Sequence, residues 1–298
     1  MIDINLIKSI LKGMFTFIPG VLFLKNIKAK KLNHSCSKAE FCYNLWLSIL
    51  IYIDEKKIKP KLNVIGEFGN GGSLGIGLCA LLTGTEEYYS IDIDNQFDID
   101  ANLEILDNLL ILFKQKTAIS KKYSNINICL NNYYYPEELI EKKYLNGEFI
   151  NKLKKEIKNI NNKGNSIIKI WDNNKAKKLD FTFSRAVMEH VVNPEVIYKF
   201  IFQNSYNQSY TFHDIEFHSH NITKSINGHY FINKFWWKII FGKRIYFLNR
   251  WMLKDHIKSL NANKFSIISL DVNKINNKDD DTDYNLYGVS LLAQIIVK

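Results

Sequence analysis

A glycine-rich stretch that lies between two acidic residues is the first feature with chemical potential. The sequence EFGNGGSLGIG, residues 67–77, contains five glycines and begins at the end of a short apolar run. Glycine permits backbone conformations with positive φ and lets the chain approach a ligand closely. Glu67 opens the stretch, and Asp92 follows the next apolar run 25 residues later. Two carboxylates beside an open loop favour a ligand that carries positive charge and hydroxyl groups, and they would repel a pyrophosphate.

The glycine spacing departs from two common phosphate-binding loops. A dinucleotide-binding loop reads GxGxxG and places phosphates at a helix N-terminus, whereas three residues separate Gly71 from Gly75 here. No Lys followed by Ser or Thr comes after the glycines, so the stretch is not a P-loop. The pattern therefore argues against a nicotinamide cofactor and against a nucleoside triphosphate.

Histidines and acids are concentrated in the second half of the chain. Six of the seven histidines lie between residues 190 and 256, and the stretch HDIEFHSH covers residues 213–220 at the end of a predicted strand. An imidazole with its ordinary pKa of about 6.5 suits a general base that removes a hydroxyl proton at neutral pH. The candidate bases, between which the sequence does not choose, are His213, His220 and His190. Glu216 is a candidate to orient one of them.

Two other roles for these histidines stay open. The HxxxxHxH spacing of residues 213–220, beside Glu189, could hold a divalent metal ion, although none is expected and no metal ligand is assigned. The other role is structural, with imidazoles hydrogen-bonded inside a lid over the site. That role fits best for His218, His229 and His256.

Apolar periodicity predicts the elements that must position these residues. Short apolar runs bounded by turn residues predict strands, and apolar residues at helical spacing predict helices. The predicted strands cover residues 62–68, 86–94, 165–171, 178–187, 208–217, 265–272 and 288–298. The predicted helices cover residues 38–55, 73–84, 98–116, 193–204 and 253–265. This order predicts an α/β protein with a doubly wound, seven-stranded, Rossmann-like sheet that is parallel except for an antiparallel last strand.

One domain with three additions accounts for the whole chain. Residues 61–298 are predicted to form the sheet domain, and residues 1–60 a helical N-terminal cap. Insertions at about 115–165 and 218–250 interrupt the alternation of strands and helices. The first is rich in Lys, Asn and Tyr, and the second in His and aromatic residues.

The net charge of +10 does not indicate a nucleic-acid interface. Nearly all of the 40 basic residues are Lys. Arginine, which suits phosphate recognition better than lysine, occurs only at positions 185, 244 and 250. No nucleic-acid partner is therefore expected. The four cysteines, at positions 36, 42, 79 and 129, form no CxxC pair, which predicts a reducing, cytoplasmic compartment.

An apolar segment followed by lysines, residues 14–31, lies near the N-terminus. Its apolar part is too short to span a bilayer as a helix, and no small-residue cleavage site follows it, so neither a membrane span nor a signal peptide is expected. Two interpretations stay open. The segment is either a packed helix and turn that covers the main domain, or a peripheral contact with a membrane surface.

The glycine loop and its acids resemble those of the class I S-adenosylmethionine-dependent methyltransferases. The family's first motif, acid-x-Gly-x-Gly, matches residues 67–71, and its second acid matches Asp92. The sequence LDFTFSRAVMEHV, residues 179–191, is similar to the family's fourth strand and the turn after it. The resemblance implies an S-adenosylmethionine cofactor, whose sulfonium and ammonium groups suit the two acids. It also implies these cofactor-binding residues: Glu67, Gly69, Gly71, Asp92, Trp171, Asp172, Ser184 and Ala186.

The chain also resembles a subgroup of these enzymes that is linked to surface-polysaccharide and glycan assembly. The shared patterns are EFGNGGSLGIG, MEHV, HDIEFHSH and LNR, although Glu216 stands where the subgroup has Asp and Asn70 where it has Pro. The resemblance implies methyl transfer to an oxygen of a sugar or glycan intermediate, with Asn249 and Arg250 binding this acceptor. Two alternatives stay open: a small hydrophobic or membrane-associated acceptor, and a non-catalytic partner subunit with this fold.

Overall fold

The computed structural model of the protein describes residues 3–21, 38–93, 97–121, 127–141, 145–161, 165–173, 176–244, 247–275 and 286–296. The strands within these ranges are β1 (Val64–Phe68), β2 (Glu87–Ile91), β3 (Ile168–Ile170), β4 (Leu179–Arg185), β5 (Ser205–Glu216), β6 (Phe265–Lys274) and β7 (Leu286–Ile295). The helices are α1 (Ile4–Phe15), α2 (Ala39–Glu55), α3 (Gly75–Thr83), α4 (Ile99–Lys114), α5 (Gly147–Lys158), α6 (Pro194–Asn204), α7 (Lys234–Phe241) and α8 (Leu253–Ala262). Short 3-10 helices occur at Glu137–Leu139 and Gly228–Phe231.

The strands form one sheet in the order β3-β2-β1-β4-β5-β7-β6. Strand β1 pairs in parallel with β2 and β4, β2 pairs in parallel with β3, and β4 with β5. Strand β7 is antiparallel to both β5 and β6. The predicted seven-stranded, doubly wound sheet with an antiparallel last strand is therefore confirmed. The carboxyl ends of β1, β2, β4 and β5 all lie at one end of this sheet, where ligands bind in open α/β folds.

Helix α2 is buried on nearly every side, since residue 39 and residues 41–53 are all buried. The indole of Trp46 contacts the rings of Phe181 and Phe183 on β4, with centroids 6.5 and 5.6 Å apart. Its N–H donates a hydrogen bond to Thr83 Oγ1 at 2.8 Å. A helix that is apolar all round belongs in a core rather than on a surface. This part of the predicted N-terminal cap therefore forms a layer of the main core together with α3 and α4.

The connection from β3 to β4 is short. Eight residues separate Ile170 from Leu179, and those of them that the structure describes contain no helix. Connections between parallel strands are usually longer and helical. Here the ring of Trp171 covers the sheet in place of a helix, with its centroid 5.4 Å from that of Tyr89 and 5.0 Å from that of Phe200.

The first predicted insertion lies beside the edge strand β3, where helix α5 packs on α4 and on the strand. Glu156 joins this helix to the strand. Its carboxylate accepts hydrogen bonds from the N–H groups of Ser166, Ile167 and Ile168 and from the Ser166 hydroxyl, at 2.9–3.1 Å. The helix therefore covers one end of an edge strand whose backbone groups would otherwise be open to pairing with another chain.

Helix α1 packs against α7 at the periphery of the molecule. Gly13 makes this approach possible, since a Cβ there would lie 2.1 Å from the carbonyl oxygen of Ile239. Leu6 and Ile10 complete the contact by packing around the buried Ile240. The N-terminal helix is thus tied to the second predicted insertion.

Candidate active site

The glycine-rich loop and the acid after β2 meet at the carboxyl ends of β1 and β2. The backbone N–H of Gly71 donates a hydrogen bond to Asp92 Oδ2 at 2.9 Å. Gly69 and Gly71 adopt φ values of 69° and 63°, and the Gly69 N–H donates to the carbonyl of Ile91 at 3.0 Å. The structure therefore brings together three of the residues predicted to bind a cofactor, namely Gly69, Gly71 and Asp92.

Glu67 lies beneath this loop. Its side chain is 4% exposed, and Oε2 accepts a hydrogen bond from the Tyr88 hydroxyl at 2.7 Å. Burial raises the pKa of Glu67 to about 8, against the effect of the Tyr88 hydrogen bond and with a smaller rise from the charge of Asp92. Asn70 Nδ2 donates to Ser90 Oγ at 2.8 Å in the same buried network. Glu67 thus supports the loop from below, whereas the sequence predicted a second negative charge facing the cofactor.

Trp171 and Asp172 directly follow β3 at the same end of the sheet. The backbone N–H of Trp171 continues the pairing with β2 by donating to the Ser90 carbonyl at 2.9 Å, and its indole N–H donates to Asn173 Oδ1 at 2.7 Å. The Asp172 side chain is exposed. Both residues therefore follow β3, the neighbour of β2, and Asp92 directly follows β2.

His213 is enclosed by the sheet and α6. Its Nδ1 lies 2.7 Å from Ser184 Oγ and its Nε2 lies 2.8 Å from Thr211 Oγ1, and all three side chains are fully buried. The ring packs edge-on against Tyr198 with centroids 5.6 Å apart, and burial lowers the pKa of His213 to about 3. This corrects the expectation that His213 and the side chain of Ser184 face the cofactor cleft. Residue 213 lies within β5, three residues before its end, and points into the core.

The segment after β4, residues 186–190, begins against the glycine loop. Ala186 adopts a φ of 53°, and its N–H donates to the Asp214 carbonyl at 2.9 Å. Val187 packs against the loop so closely that a Cβ on Gly69 would lie 2.4 Å from Val187 Cγ2. The segment therefore begins at the end of β4, beside the predicted cofactor loop, and continues toward the end of β5.

An arginine and two carboxylates stand at the ends of β4 and β5. Arg185 Nη2 donates to Glu216 Oε1 at 2.8 Å, and Arg185 Nε lies 3.6 Å from Oδ2 of the fully buried Asp214. Burial alone would raise the pKa of Glu216, but the hydrogen bond from His218 and the charge of Arg185 lower it to about 2. Arg185 is not among the site residues that the sequence predicts. Its one signal was that only three arginines occur in a chain rich in lysine.

His218 is the histidine that Glu216 orients. Its Nε2 lies 2.7 Å from Glu216 Oε2, and its Nδ1 accepts a hydrogen bond from the backbone N–H of His220 at 3.2 Å. The ring also stacks on Tyr287 and on His220, with centroids 4.8 and 4.1 Å apart. Because both ring nitrogens are engaged, His218 holds the turn after β5 in place, which agrees with the structural role considered for it.

Three further side chains converge beside this pair, and we call Glu189, His190 and His220 the acid–histidine cluster. One ligand atom from each lies within 4.8 Å of the others. Glu189 is 3% exposed, and neither of its carboxylate oxygens has a hydrogen-bond partner among the described residues. Within the same ranges, His220 Nε2 has no hydrogen-bond partner either, and it lies 3.6 Å from Glu216 Oε2. The rings of His190 and His220 meet edge to face at a centroid distance of 5.0 Å.

Burial shifts the pKa values of the acid–histidine cluster toward the uncharged forms. It raises the pKa of Glu189 well above its ordinary value, against the effects of the residue's own backbone N–H and of the Arg185 charge, while the charges of Glu216 and Asp214 add to the rise. It lowers the pKa of His190, and it lowers the pKa of His220 to about 4 with a contribution from the neighbouring histidines. Buried polar groups normally satisfy one another by hydrogen bonding. A cluster that does not do so is a candidate ligand site.

Two other histidines lie in the core. His256 is fully buried, with Nδ1 2.8 Å from the Tyr198 hydroxyl. His229 is 1% exposed and packs on Tyr230 with ring centroids 4.0 Å apart. Burial lowers the pKa of each to about 3. Both placements agree with the structural role that the sequence suggested for these residues.

Asn249 supports the turn after β4 and does not offer its amide to a ligand. Its Nδ2 donates to the carbonyls of Met188 and Val191, both at 2.7 Å, and its Oδ1 accepts from the Trp251 N–H at 2.9 Å. Its backbone N–H donates to the Glu189 carbonyl at 2.6 Å. Because backbone groups occupy the amide, Asn249 is a positioning residue for the acid–histidine cluster. Asn249 also lines the pocket described next, and its predicted contact with the acceptor stays a prediction.

Arg250 faces an open pocket of about 290 Å³ near this turn. Its guanidinium lies 5.0 Å from the centre of the Trp237 ring, and Nη1 donates to the Ile232 carbonyl. The pocket is lined by Val192, Trp237, Phe241, Phe247, Leu248, Asn249, Arg250 and Trp251. An arginine among aromatic rings offers both a charge and flat apolar surface to a ligand.

The strand order, the antiparallel last strand and the acid–glycine loop after β1 define the Rossmann-like methyltransferase fold. No protein-family model matches the chain, and a comparison with curated proteins gives no match.

Several solved structures are similar to this chain. A SAM-dependent methyltransferase from Methanosarcina mazei is 14% identical, with 83% of this chain and 98% of that chain covered and a TM-score of 0.41. An S-adenosylmethionine-dependent methyltransferase from Clostridium acetobutylicum is 9% identical, with 92% and 96% covered and a TM-score of 0.40. Magnesium protoporphyrin IX methyltransferase from Synechocystis PCC 6803, with bound SAH, is 13% identical, with 85% and 83% covered and a TM-score of 0.40.

Proposed function

We propose that the protein is an S-adenosylmethionine-dependent methyltransferase that transfers the methyl group to a hydroxyl oxygen of a sugar or glycan intermediate. The observation that carries this proposal is the packing of Val187 against Gly69, two residues before Glu189. Because Glu189 follows Val187 by only two residues, this contact supports a position of the acid–histidine cluster near the predicted cofactor loop. A methyl donor on the loop and a hydroxyl acceptor at the cluster would therefore be held close together, which is the main requirement for a direct displacement.

The loop residues fit S-adenosylmethionine. The Asp92 carboxylate, fixed by the Gly71 N–H, is suited to accept hydrogen bonds from ribose hydroxyls. Gly69, with its φ of 69°, lets the backbone turn at the end of β1 in close contact with Val187. Trp171 and Asp172 follow the neighbouring strand and are assigned to the adenine. When bound, the cofactor supplies a methyl group activated by a sulfonium, so the chain's own task is to orient the acceptor and accept its proton.

The acceptor is proposed to lie between the acid–histidine cluster and the pocket of Arg250. The aromatic rings of that pocket suit the apolar face of a sugar, and the guanidinium suits a carboxylate or phosphate on the same intermediate. The hydroxyl proton is proposed to leave at His190 or His220. Of the three predicted bases, His213 is not proposed again because it is enclosed in the core.

Calorimetric titration with S-adenosylmethionine, S-adenosylhomocysteine and NAD tests the cofactor half of the proposal. We expect the first two to bind and NAD not to bind. Binding of NAD alone contradicts the proposal, and no binding of any of the three favours a non-catalytic partner subunit. Transfer of labelled methyl from S-adenosylmethionine to glycan or nucleotide-sugar fractions, with phenolic compounds for comparison, tests the acceptor half.

An exposed apolar surface favours a second candidate, in which the acceptor is carried at a membrane. Helix α1 buries one apolar stripe against α7 and leaves another exposed. The apolar surface consists of Ile4, Ile7, Leu11, Met14, Phe15, Phe17, Ile18, Phe231, Phe235 and Trp236, each 42% exposed or more. So many large apolar side chains in one region are unusual on a monomeric protein and mark an interaction site.

Lysines border the apolar surface. Exposed lysines on or near α1 and α7 are Lys8, Lys12, Lys234, Lys238 and Lys243. Apolar and aromatic side chains beside lysines suit the surface of an anionic lipid bilayer. The helices would lie in the interface, with their apolar side chains inserted at the level of the headgroups. Of the predicted contact segment 14–31, residues 22–31 lie outside the described residues. Across the ranges that the structure describes, no helix is both long and apolar enough to cross a membrane.

Co-sedimentation with vesicles tests this second candidate. The protein is expected to bind vesicles that contain phosphatidylglycerol and not those of phosphatidylcholine alone. Leu11→Glu and Phe235→Glu should each reduce binding. Ile111→Glu changes a residue on α4 that is 51% exposed outside this surface, and it should bind as the wild type does. No binding to either vesicle would exclude this candidate and leave the first in place.

A further inference from the structure

The acid–histidine cluster contains more unsatisfied polar groups than a general base requires. Both carboxylate oxygens of Glu189 and the Nε2 of His220 are buried without a hydrogen-bond partner among the described residues. Leaving a buried carboxyl unpaired is costly. Such a side chain, 3% exposed and adjoining two imidazoles, points to a ligand that all three groups share.

We propose that Glu189, His190 and His220 bind a divalent transition-metal ion of the zinc class. Two imidazoles and one carboxylate are a ligand set found in zinc sites that keep a fourth position open. Two ligand atoms at about 2.0–2.2 Å from zinc are at most about 4.4 Å apart. In a tetrahedral site the same distances correspond to ligand atoms about 3.3–3.6 Å apart, so the three atoms here, within 4.8 Å of one another, would move closer together when the ion binds.

The charges around the cluster favour a cation. Glu216 and Asp214 both act electrostatically on Glu189, and Arg185 is the cation that faces the two of them. Three carboxyl groups, those of Glu189, Glu216 and Asp214, are thus grouped with one guanidinium, and an arrangement of this kind suits a cation. Imidazole ligands select the zinc class over Mg²⁺ and Ca²⁺, which prefer oxygen ligands.

The turn that presents His220 is unusual in its backbone. His220 and Asn221 adopt consecutive φ values of 47° and 62°, which residues with a side chain rarely do. Strained backbone of this kind persists where the surrounding structure enforces it. Here the His220 N–H is held by His218 Nδ1, and His218 in turn is held by Glu216. The Glu216–His218 pair therefore supports the site from outside, as hydrogen-bonded carboxylates around metal ligands do.

A second set, Glu216, His218 and His220, also lies within 4.8 Å. Glu216 already holds Arg185 and His218 through its two oxygens, and His218 uses both ring nitrogens. The carboxylate of Glu189 has no such bonds to give up. The structure therefore favours the set that contains Glu189 over the sequence-based alternative within residues 213–220.

The inference deepens the proposed function and depends on it for the position of the acceptor. Glu189, His190 and His220 would hold the ion, which would supply a Lewis acid that lowers the pKa of an acceptor hydroxyl at the open position. The hydroxyl proton would pass to solvent, the oxygen would form a bond to the methyl carbon, and the electron pair of the broken carbon–sulfur bond would stay on sulfur. His190 and His220 would then be ligands, and this role would replace the proton-accepting role proposed for one of them above.

Titration of the chelator-treated full-length protein with Co²⁺, in the absence of cofactor and acceptor, tests the inference. We expect one equivalent to bind with visible absorption bands of a low-coordinate site, and Zn²⁺ to displace it. Mg²⁺ in excess should not displace it. Zn²⁺ should also raise the thermal unfolding midpoint, because a ligand that binds only the folded state stabilises it. A wild-type protein without stoichiometric Co²⁺ binding overturns the inference, whatever the variants do.

Variants then locate the site. Glu189→Gln and His220→Asn should lose the Co²⁺ bands, while Glu195→Gln, an exposed acid on α6, should keep them. Loss of the bands in His218→Asn together with full binding in Glu189→Gln would assign the ion to the second set and overturn the proposal.

Titrating the same proteins with S-adenosylmethionine separates the two proposals. Cofactor binding without Co²⁺ binding contradicts the metal site alone. Co²⁺ binding without cofactor binding supports the metal site and contradicts the proposed function alone.

Discussion

Asp92 Oδ2 accepts a hydrogen bond from the backbone N–H of Gly71 at 2.9 Å, although the two residues are 21 positions apart in the chain. Strands β1 and β2 are parallel neighbours, and Phe68 pairs with Ile91 at their carboxyl ends. The loops that follow the two strands therefore meet. The hydrogen bond fixes the carboxylate against the glycine loop, so the pairing of two strands preorganises the proposed cofactor site.

Replacing Asp92 with Ala should weaken S-adenosylmethionine binding by about 10- to 100-fold. A hydrogen bond to a charged group contributes about 1.5–3 kcal/mol, and about 1.4 kcal/mol corresponds to a tenfold change in affinity. Calorimetric titration measures the change. Asp100→Asn, in the first turn of α4, is a matched control and should bind as the wild type does. Undiminished affinity in Asp92→Ala would show that this acid does not bind the cofactor.

Gly69→Ala should lower the free energy of unfolding by about 2–5 kcal/mol, as two separate effects add. The φ of 69° is costly for an alanine, by about 1–2 kcal/mol. The new Cβ would also lie 2.4 Å from Val187 Cγ2, and overpacking costs about 1–3 kcal/mol.

Urea unfolding of Gly69→Ala, Val187→Ala and the double variant separates the two effects. The double variant should be more stable than the sum of the two single changes implies. In it the new Cβ at position 69 no longer overlaps the Cγ atoms of residue 187, while the positive φ at position 69 still costs stability. Strict additivity would mean that Val187 does not confine the loop.

Glu156→Gln should destabilise the protein near neutral pH by about 1–3 kcal/mol, because it removes charged hydrogen bonds between α5 and the start of β3. Burial alone would raise the pKa of Glu156, but the N–H groups of Ser166, Ile167 and Ile168 outweigh burial and lower it. A lowered pKa contributes stability above the unfolded-state value of 4.5, and this is lost as the pH falls through the folded-state value.

Urea midpoints of the wild type and Glu156→Gln at pH 7 and at successively lower pH measure this effect. The difference between the two proteins should shrink below pH 4.5. Glu138→Gln, which changes an exposed acid whose carboxylate accepts a hydrogen bond from the Tyr134 hydroxyl, serves as the control and should show a small difference from the wild type. A constant gap between Glu156→Gln and the wild type would contradict the assignment.

Glu67→Gln should become more stable relative to the wild type as the pH rises. Burial raises the pKa of Glu67 from 4.5 to about 8, so the unfolded chain releases this proton first. In the wild type, the contribution of protonated Glu67 to the free energy of unfolding is complete below pH 4.5. It declines by up to about 1.4 kcal/mol per pH unit until the pH passes the folded-state pKa. Unfolding at pH 5 and pH 8 measures the trend, which the neutral amide should lack. Parallel pH dependence in both proteins would contradict the raised pKa.

The sequence by itself determined the sheet and the loop that the proposed cofactor would occupy. Apolar runs separated by amphipathic helices are local signals, and their order specifies the parallel strands. The glycines after β1 and the acid after β2 are equally local, because each directly follows its strand. Parallel neighbours end at the same edge, so Gly69, Gly71 and Asp92 had to meet once the strands paired.

Only the tertiary structure decided which histidines are accessible. Side chains alternate between the two faces of a strand, and the sequence does not state which face of β5 a helix covers. His213 falls on the face where Tyr198 of α6 packs, and Ser184 and Thr211 take its two nitrogens. Glu216 ends the strand and is reached by the side chain of Arg185.

The roles of Glu189 and Asn249 also depended on tertiary contacts. Asn249 hydrogen-bonds the Met188 carbonyl, which lies 61 residues away in the chain. Glu189 is buried without a partner among the described residues because of how the turn after β4 is held against the end of β5. Burial and hydrogen-bond satisfaction are set by packing between distant segments. Local periodicity determined which strands form this site, and tertiary packing decided which of its side chains are left for a ligand.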